Sequence, residues 1–429
     1  MSSRSSVEGD DNEFEEDVES LARILRADSK LIKVKNMKCT AGSSSGDNYM
    51  SVVKRVIVSG VDCENKDTKL SLIIKRQIPS LSRRQLYRCN EAFSNEINGY
   101  THIIPMLAKY VNHSSYPRCY FAGEDDRGEL IVLEDLKPLG YQMKSRLIGL
   151  DFEHCKLVME ELASWHATSI VVKHTHSHHF GEICNRYIRE IVYCPEADEF
   201  FKAVVETSIR ESLHSLQLSN ADGSLTEPIR LLRDLETKLY SIIRRYITSS
   251  QERFNVICHG DLWVNNIMFM KGSTGRPCGV KFIDLQAMRY ASPVFDILHF
   301  IYTSTKRDVR DVHLKTILEI YSRTLLSKLE LHLQPNYLKE LQNLRNIYSI
   351  ESISDEFYSH ILYGLAACIW ILPAVTFDPN NIPNLDTVSD LREPTQELNM
   401  LQKLTPEYHS RMKDIALEFY HNGFLQTNC

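Results

Sequence analysis

The chain has 429 residues, of which 43% are hydrophobic and 25% are charged, as is typical of a globular protein, and this length suits two lobes better than one simple core. The net charge of −6 disfavours nucleic acid or an anionic membrane as the main partner. The 11 cysteines are odd in number and form no CxxC pair, so we expect reduced thiols rather than a disulfide framework.

The acidic N-terminus lacks the apolar core of a signal peptide, and no run of about 18 apolar residues predicts a membrane span. We therefore expect a cytoplasmic protein. Residues 1–16 are polar and acidic, which predicts a disordered tail. Helical spacing of apolar residues begins at Val18, and a strand is expected around Leu31 to Lys35.

Small residues are concentrated between Cys39 and Val53, in a turn between two predicted strands. Such a turn lets backbone N–H groups approach phosphate oxygens, because few side chains block the way. The alternative is a mobile serine-glycine turn with no ligand. Paired strands are then predicted over Lys54 to Val61 and Leu70 to Ile74.

Lys75 ends the second of these strands, and a helical pattern follows from Gln85 to Val111. Glu96 lies within the apolar stripe of that helix, where a carboxylate is costly unless it is paired. Lys75 is the candidate partner, and in kinases the lysine of such a pair holds the α- and β-phosphates. The alternatives are a solvated lysine and a glutamate at the edge of the stripe.

Another hairpin is predicted from Arg118 to Ala122 and from Glu129 to Leu133, after which the chain becomes helical. The lobe boundary is therefore expected near residues 136–140, with an N-lobe over 17–136 and a C-lobe over 137–429. Within the C-lobe, the run His174 to His179 is interpreted as a solvated loop rather than a metal site. Predicted C-lobe helices are Asp151–Ile170, Ala197–Leu216, Pro228–Thr248, His313–Leu331, Pro335–Ile347, Asp355–Ala374 and Pro406–Phe424.

The chemistry is concentrated in two apolar runs, Ile257 to Phe269 and Val280 to Gln286, separated by a segment dense in turn-forming residues. This pattern predicts a hairpin that places Asn266 and Asp284 roughly opposite each other. An amide oxygen and a carboxylate suit a hard divalent cation such as Mg²⁺. Asp261 comes five residues before Asn266, which repeats the protein-kinase order of catalytic Asp, Asn and metal-binding Asp. The alternative is a polar loop whose acids cap turns.

These motifs resemble the ecdysteroid kinase-like family of insects, within the aminoglycoside phosphotransferase and choline kinase group. The resemblance rests on the run from His259 to Asn266 and on Asp284-Leu285-Gln286, where the family usually has Asp-Phe-Gln. It also matches the family's nucleotide loop at Gly46, Asp47, Asn48, Tyr49 and Ser51.

The resemblance places the family's lysine and helix glutamate on Lys75 and Glu96. It implies that the Glu134 carbonyl and the Leu136 N–H form hydrogen bonds with adenine. It also implies that Asp296 supports the catalytic loop. It implies an α+β, bilobal protein-kinase-like fold, with an antiparallel sheet plus a helix in the N-lobe and a large, mostly helical C-lobe.

The implied activity is phosphorylation of a small-molecule hydroxyl with ATP and Mg²⁺, with Asp261 orienting the acceptor and Asn266 and Asp284 binding the metal. The resemblance suggests an ecdysteroid or a xenobiotic alcohol as acceptor. Choline or ethanolamine is the alternative substrate, which would require an aromatic cage; the tail offers Trp370, Tyr348, Tyr358 and Tyr363. A pseudokinase that binds nucleotide without turnover is the alternative from another functional class.

Overall fold

A computed structural model describes residues 19–27, 33–42, 51–111, 115–333, 337–377 and 404–426. The chain divides into two compact units, the first comprising Met1–Phe93 and Pro117–Gly140, and the second Ser94–Tyr116 and Tyr141–Cys429. The tail predicted over residues 1–16 lies outside the described residues. The fold class predicted from the sequence is confirmed, because the first unit contains an antiparallel sheet and the second is mostly helical.

The first unit is built on one five-stranded antiparallel sheet in the order β1-β2-β3-β5-β4. Apolar residues alternate along these strands, so that one face is buried. A helix over residues 19–27, α1, covers that face with Leu21 and Leu25, which pack against Val56, Leu72 and Val132. The strands are β1 (Lys33–Ala41), β2 (Ser51–Val61), β3 (Asp67–Gln77), β4 (Cys119–Asp125) and β5 (Gly128–Glu134).

The helix predicted over Gln85 to Val111 is broken into several pieces. They are α2 (Leu81–Leu86), α3 (Cys89–Asn98), a π-helical turn (Gly99–Ile103) and α4 (Ile104–Ala108). Arg88 separates the first two pieces because its φ of 52° is incompatible with a right-handed helix. Pro105 lies in the first turn of α4 and has no N–H for the preceding ladder.

The segment Ser94–Tyr116 belongs to the second unit, whereas the sequence prediction placed it in an N-lobe ending at residue 136. Hydrogen bonds within the second unit account for this difference. The amide nitrogen of Asn95 donates to the carbonyl oxygens of Arg189 at 2.8 Å and Gln286 at 3.1 Å. The first half of the predicted helix thus remains with the sheet, and the second half is bound to the helical unit.

Eleven further helices and two small sheets form the rest of the second unit's described part. One sheet has the order β6-β8-β9 and the other pairs β7 with β10. The strands are β6 (Tyr141–Met143), β7 (Val256–Cys258), β8 (Ile267–Lys271), β9 (Pro277–Phe282) and β10 (Arg289–Ala291). The helices are α5 (Phe152–Thr175), α6 (Ser177–Tyr187), α7 (Asp198–Leu218), α8 (Thr226–Leu235), α9 (Leu239–Thr248), α10 (Val294–Ser304), α11 (Arg307–His332), α12 (Leu338–Ile347), α13 (Ile350–Ser359), α14 (Ile361–Thr376) and α15 (Pro406–His421).

Two predicted long helices are each split in the structure. The segment Pro228–Thr248 divides between α8 and α9, where the Lys238 N–H bonds to the Leu235 carbonyl three residues back. The segment Asp355–Ala374 divides at His360, whose ring nitrogen Nδ1 lies 2.8 Å from the Glu356 carbonyl and so competes with the main-chain ladder. The helices α13 and α14 meet there at a bend of 58°.

The prediction of a solvated loop over the histidine run was wrong. α5 continues to Thr175 and α6 begins at Ser177, so that His176 is the junction between two helices. Phe180 and Cys184, four residues apart, form the buried face of α6, and this spacing is the signal that the loop interpretation overlooked.

Among the described residues, no single helix has the length and apolar character needed to cross a membrane. The bent pair α13 and α14 meets these criteria only when the two helices are taken together.

Candidate active site

The predicted catalytic loop follows β7, a buried strand whose Cys258 is paired with Arg289 of β10. Gly260, the second residue of this loop, has a φ of 84°. A Cβ at this position would overlap the carbonyl oxygen of Ala287. Only glycine fits here, because both the left-handed backbone and the contact with Ala287 exclude a side chain.

Asp296 of α10 holds the backbone of this loop. Its carboxylate accepts the N–H groups of His259 at 2.7 Å and Gly260 at 2.8 Å. His166 Nε2 lies 3.2 Å from the same carboxylate, and its Nδ1 lies 2.8 Å from the Tyr321 hydroxyl. Burial raises the pKa of Asp296, but the hydrogen bonds to His166 and from the Gly260 N–H outweigh it, so the pKa is lowered. The predicted supporting role of Asp296 is confirmed.

Cys258 joins His166 and Asp296 in a buried group whose potential ligand atoms lie within 4.8 Å of one another. The carboxylate oxygens of this group already face two N–H groups and an imidazole. Burial also raises the pKa of the Cys258 thiol, which disfavours the thiolate that a metal needs. We therefore interpret this group as the support of the loop rather than as a metal centre.

The ring of His259 connects the loop to the end of β9. Its Nδ1 accepts the N–H of Asp261 at 3.3 Å, and its Nε2 lies 2.9 Å from the carbonyl oxygen of Ile283. These two bonds assign the proton to Nε2, since only a protonated nitrogen can donate to a carbonyl. His259 therefore fixes the residue before Asp284 relative to Asp261.

The carboxylate of Asp261 has a neighbour at each oxygen. The Asn266 amide donates to the Asp261 carbonyl at 2.8 Å and to Oδ2 at 3.0 Å. The Nε2 atom of His299 lies 3.4 Å from Oδ1. Burial raises the pKa of Asp261, but the imidazole of His299 and the hydrogen bond from the Asn266 amide outweigh it, so the pKa is lowered. The carboxyl group is thus ionised at neutral pH.

The predicted hairpin is present as β8 and β9, in which Ile267 is paired with Phe282. The Ile283 N–H donates to the Asn266 carbonyl at 3.0 Å, which brings the chain next to Asp284 beside Asn266. Asp284 has a φ of 71°, a conformation that Asp adopts more readily than most residues. An amide oxygen and a carboxylate on these adjacent segments are chemically suited to Mg²⁺. The metal role of Asn266 and Asp284 stays a prediction.

Of the predicted nucleotide-binding residues that the structure describes, Ser51, Lys75, Glu134 and Leu136 lie in the first unit. Gly46, Asp47, Asn48 and Tyr49 are outside the described residues, and Ser51 begins β2 opposite Gln77. Lys75 lies in β3 between Val53 and Ile131 and is buried.

Glu96 lies on α3, in the part of that helix that belongs to the second unit, and is 1% exposed. Its burial agrees with the expectation that this carboxylate needs a partner. Its pairing with Lys75 stays a prediction.

The segment Glu134-Asp135-Leu136 is held by its middle residue, which the sequence interpretation did not select. The Asp135 carboxylate accepts Arg55 Nε at 2.7 Å, the Ser71 hydroxyl at 2.7 Å and the Lys137 N–H at 3.1 Å. Burial raises the pKa of Asp135, but these hydrogen bonds outweigh it and the pKa is lowered. Asp135 therefore fixes the backbone on which the Glu134 carbonyl and the Leu136 N–H lie; their contact with adenine stays a prediction.

The comparisons with known proteins agree with the resemblance seen in the sequence. The model of the ecdysteroid kinase-like family matches residues 45–333, about two thirds of the chain. No curated protein matches the chain significantly. The family match includes the catalytic loop, the hairpin and the segments predicted to bind nucleotide.

Solved structures similar to this chain include small-molecule kinases. A Plasmodium vivax ethanolamine kinase has 15% identity and a TM-score of 0.36, covering 80% of this chain and 85% of that one. The GDP complex of an aminoglycoside 2'-phosphotransferase-IIIa mutant has 13% identity and a TM-score of 0.37, covering 81% and 97%. A choline/ethanolamine kinase family protein from Mesorhizobium loti has 11% identity and a TM-score of 0.32, covering 78% and 93%. Because these scores are low, only the match of residues 45–333 supports an assignment.

Proposed function

The chain belongs to the ecdysteroid kinase-like family, and on this premise we propose that it transfers the γ-phosphoryl group of ATP to a hydroxyl group of a small organic molecule. Family membership supports a small-molecule phosphotransferase in general. We propose an ecdysteroid or a xenobiotic alcohol as the acceptor, and the cytoplasm as the site of action. The observation that carries the proposal is the geometry of the Asp261 loop: the Asn266 amide donates to the Asp261 carboxylate, and Asp296 accepts the N–H groups of His259 and Gly260.

In this proposal the Asp261 carboxylate accepts a hydrogen bond from the hydroxyl group of the acceptor. Its lowered pKa keeps it ionised, so it can accept the proton of the acceptor hydroxyl. The hydroxyl oxygen then forms a bond to the γ-phosphorus while the bond from that phosphorus to ADP breaks. Phosphoryl transfer requires mainly positioning and charge stabilisation. The contacts that fix the Asp261 main chain and carboxylate supply the positioning.

Asn266 and Asp284 would hold Mg²⁺, which when bound neutralises charge on the β- and γ-phosphates. The hydrogen bonds of Asn266 support this role. Its amide nitrogen donates to Asp261, so the other end of the amide, Oδ1, is the atom available to a cation. Asn266 would therefore couple the metal to the catalytic carboxylate.

Nucleotide binding is proposed for residues of the first unit. Lys75 would contact the α- and β-phosphates, and the loop from Gly46 to Ser51 would contact phosphate oxygens through its backbone. The backbone at Glu134 and Leu136 would receive adenine, a role supported by the rigid attachment of Asp135 to Arg55 and Ser71.

The four aromatic residues considered for a choline cage each pack against a different partner. Trp370 packs on Phe201, Tyr358 on Phe424 and Tyr363 on Phe295, while the Tyr348 hydroxyl donates to the Phe254 carbonyl at 3.1 Å. This arrangement gives no support for a quaternary ammonium site.

The test is a screen of ATP consumption, with Mg²⁺, against sterols, phenolic glycosides, choline and aminoglycosides. We expect turnover with a sterol or phenolic acceptor. The Asp261→Asn variant should lose activity by about 10²- to 10⁴-fold, because the proton acceptor is removed, while retaining its affinity for ATP. Asp222→Asn, on an exposed loop, is the matched control and should behave as wild type.

ATP binding without consumption in the presence of any of these acceptors would instead support the pseudokinase. Wild-type turnover by Asp261→Asn would contradict the catalytic role of that residue.

A further inference from the structure

One face of α10 contacts three successive residues of the catalytic loop. Asp296 and His299 are three residues apart and therefore lie on the same side of the helix. Asp296 binds the N–H groups of His259 and Gly260, and one turn later His299 places Nε2 3.4 Å from Oδ1 of Asp261. The helix thus fixes the backbone of the loop with one side chain and faces its carboxylate with the other.

The imidazole of His299 is buried, with 7% of the residue exposed. Within the described part of the chain, neither of its ring nitrogens has a hydrogen-bond partner, and the Asp261 carboxylate is the charged group that it faces. Buried polar groups normally have partners, so a histidine that only filled the core would be expected to resemble His166, whose Nδ1 lies 2.8 Å from the Tyr321 hydroxyl. The location of His299 is therefore explained by Asp261 rather than by core packing.

The His299 ring also lies near Tyr363, which belongs to a further chain of contacts. The ring of Tyr363 on α14 lies 6.5 Å from it, centroid to centroid. The Tyr363 hydroxyl accepts from Arg289 Nη1 at 3.0 Å, and Arg289 Nε lies 3.0 Å from the Glu190 carboxylate. Arg289 is itself buried on β10, next to the strand that leads into the loop. These contacts fix Tyr363, the aromatic neighbour of the His299 ring.

We propose that His299 is a positioning residue for phosphoryl transfer: its Nε2–H faces Oδ1 of Asp261 while Asn266 holds Oδ2, so that the carboxylate is fixed in the orientation that receives the acceptor hydroxyl. The proton is assigned to Nε2 because an unprotonated nitrogen would repel the carboxylate oxygen. This inference rests on the proposed function. The lowered pKa of Asp261 agrees with it, since His299 stabilises the ionised carboxyl group.

The test compares His299→Leu, which removes the donor, with His299→Gln, which retains an N–H donor of similar reach. His154→Gln is the matched control, because His154 is also a buried histidine near a carboxylate, with Nδ1 2.7 Å from Asp151 Oδ1 at the start of α5. Activity is measured as conversion of ATP to ADP with Mg²⁺ and the acceptor found in the screen, or with water as acceptor. Thermal unfolding and ATP affinity are measured for every variant.

We expect the Leu variant to lose about tenfold to a hundredfold in kcat at unchanged ATP affinity, and the Gln variant to regain most of this loss. The control should behave as wild type. A purely structural histidine would instead lower the unfolding temperature, with no difference in kcat between the Gln and Leu variants once folded, and that result would overturn the proposal.

A second measurement does not depend on turnover. The ¹⁵N chemical shifts of a histidine ring report which nitrogen carries the proton. In protein labelled at histidine, Asp261→Asn should shift the signals of His299 and leave those of His154 unchanged; no change at His299 would overturn the proposed contact.

The two proposals fail in different ways. If wild type transfers no phosphoryl group to any acceptor or to water, the proposed function is wrong and the positioning role fails with it. If wild type is active and His299→Leu retains its kcat, only the positioning role is wrong.

Discussion

Two buried aspartates, Asp135 in the first unit and Asp296 in the second, fix backbone segments in different ways. Asp135 follows a strand of a five-stranded ladder and is neutralised by Arg55, whose side chain is 19% exposed. Asp296 lies 3.2 Å from His166 Nε2, and both side chains are at most 1% exposed. In the first unit the sheet already places the segment, so Asp135 adds to an existing framework. In the second unit, the conformation of the loop is stabilised by side chains of helices that are far from it in the sequence.

The largest expected effect on stability comes from removing the Asp296 carboxylate, which binds the backbone of the catalytic loop. Asp296→Ala leaves His166 and two N–H groups buried without their partner, and should lower the free energy of unfolding by about 3–5 kcal/mol, with loss of phosphoryl transfer. Asp135→Ala should cost less, because Arg55 can turn to water. Denaturant unfolding of both variants measures the difference, and equal losses would show that the two segments are supported alike.

Two glycines with positive φ sharpen the same comparison. Gly260 has a φ of 84° and a neighbour at the Cβ position, whereas Gly128, the first residue of β5, has a φ of 107° and open space around it. Gly260→Ala should cost about 2–3 kcal/mol and impair turnover, because the loop must move away from Ala287. Gly128→Ala should cost only about 1–2 kcal/mol from its backbone conformation, with activity intact. Thermal unfolding and ATP turnover distinguish them; an active, stable Gly260→Ala would show that the loop is not held rigidly.

The last expected effect concerns acid stability in the first unit and leaves phosphoryl transfer unchanged. Burial raises the pKa of Asp125, but hydrogen bonds from Arg76 and the Arg127 N–H outweigh it and lower the pKa to about 2. Because the folded value is below the unfolded value of 3.8, the pair stabilises the fold above pH 3.8 and this contribution is lost as the pH falls towards 2.

The contribution amounts to about 2 kcal/mol at neutral pH. Asp125→Asn should therefore be less stable than wild type at pH 7 and nearly equal to it at pH 2, as measured by urea unfolding. A gap that stays constant between these pH values would contradict the assignment.

The spacing of apolar and turn-forming residues correctly predicted the elements that depend on neighbouring residues in the sequence. The β8–β9 hairpin, with Asn266 beside Asp284, followed from two apolar runs around a turn, and the N-terminal sheet followed from alternation. Helix breaks at Arg88 and His360 were missed, because a single residue's φ or side-chain bond outweighs a continuous apolar stripe.

The support of the site was only partly predictable. Asp296 was selected through the family resemblance, but its pairing with His166, 130 residues away, has no local signature. His299 was missed although Asp296 and His299 have the spacing of one helix face, since nothing in that spacing shows that the face meets the loop. Asp135 was overlooked because the sequence interpretation considered only the backbone groups of its neighbours, Glu134 and Leu136.

The left-handed backbone at Asp284 restricts how this site can decay. Asparagine, aspartate and glycine tolerate a φ of 71° at little cost, whereas β-branched and bulky residues do not. A descendant of this chain that abandons catalysis but keeps its fold should therefore replace Asp284 with Asn or Gly. If Asp284 binds the metal as proposed, the substitutions that remove this ligand are thus also the ones that change the backbone least.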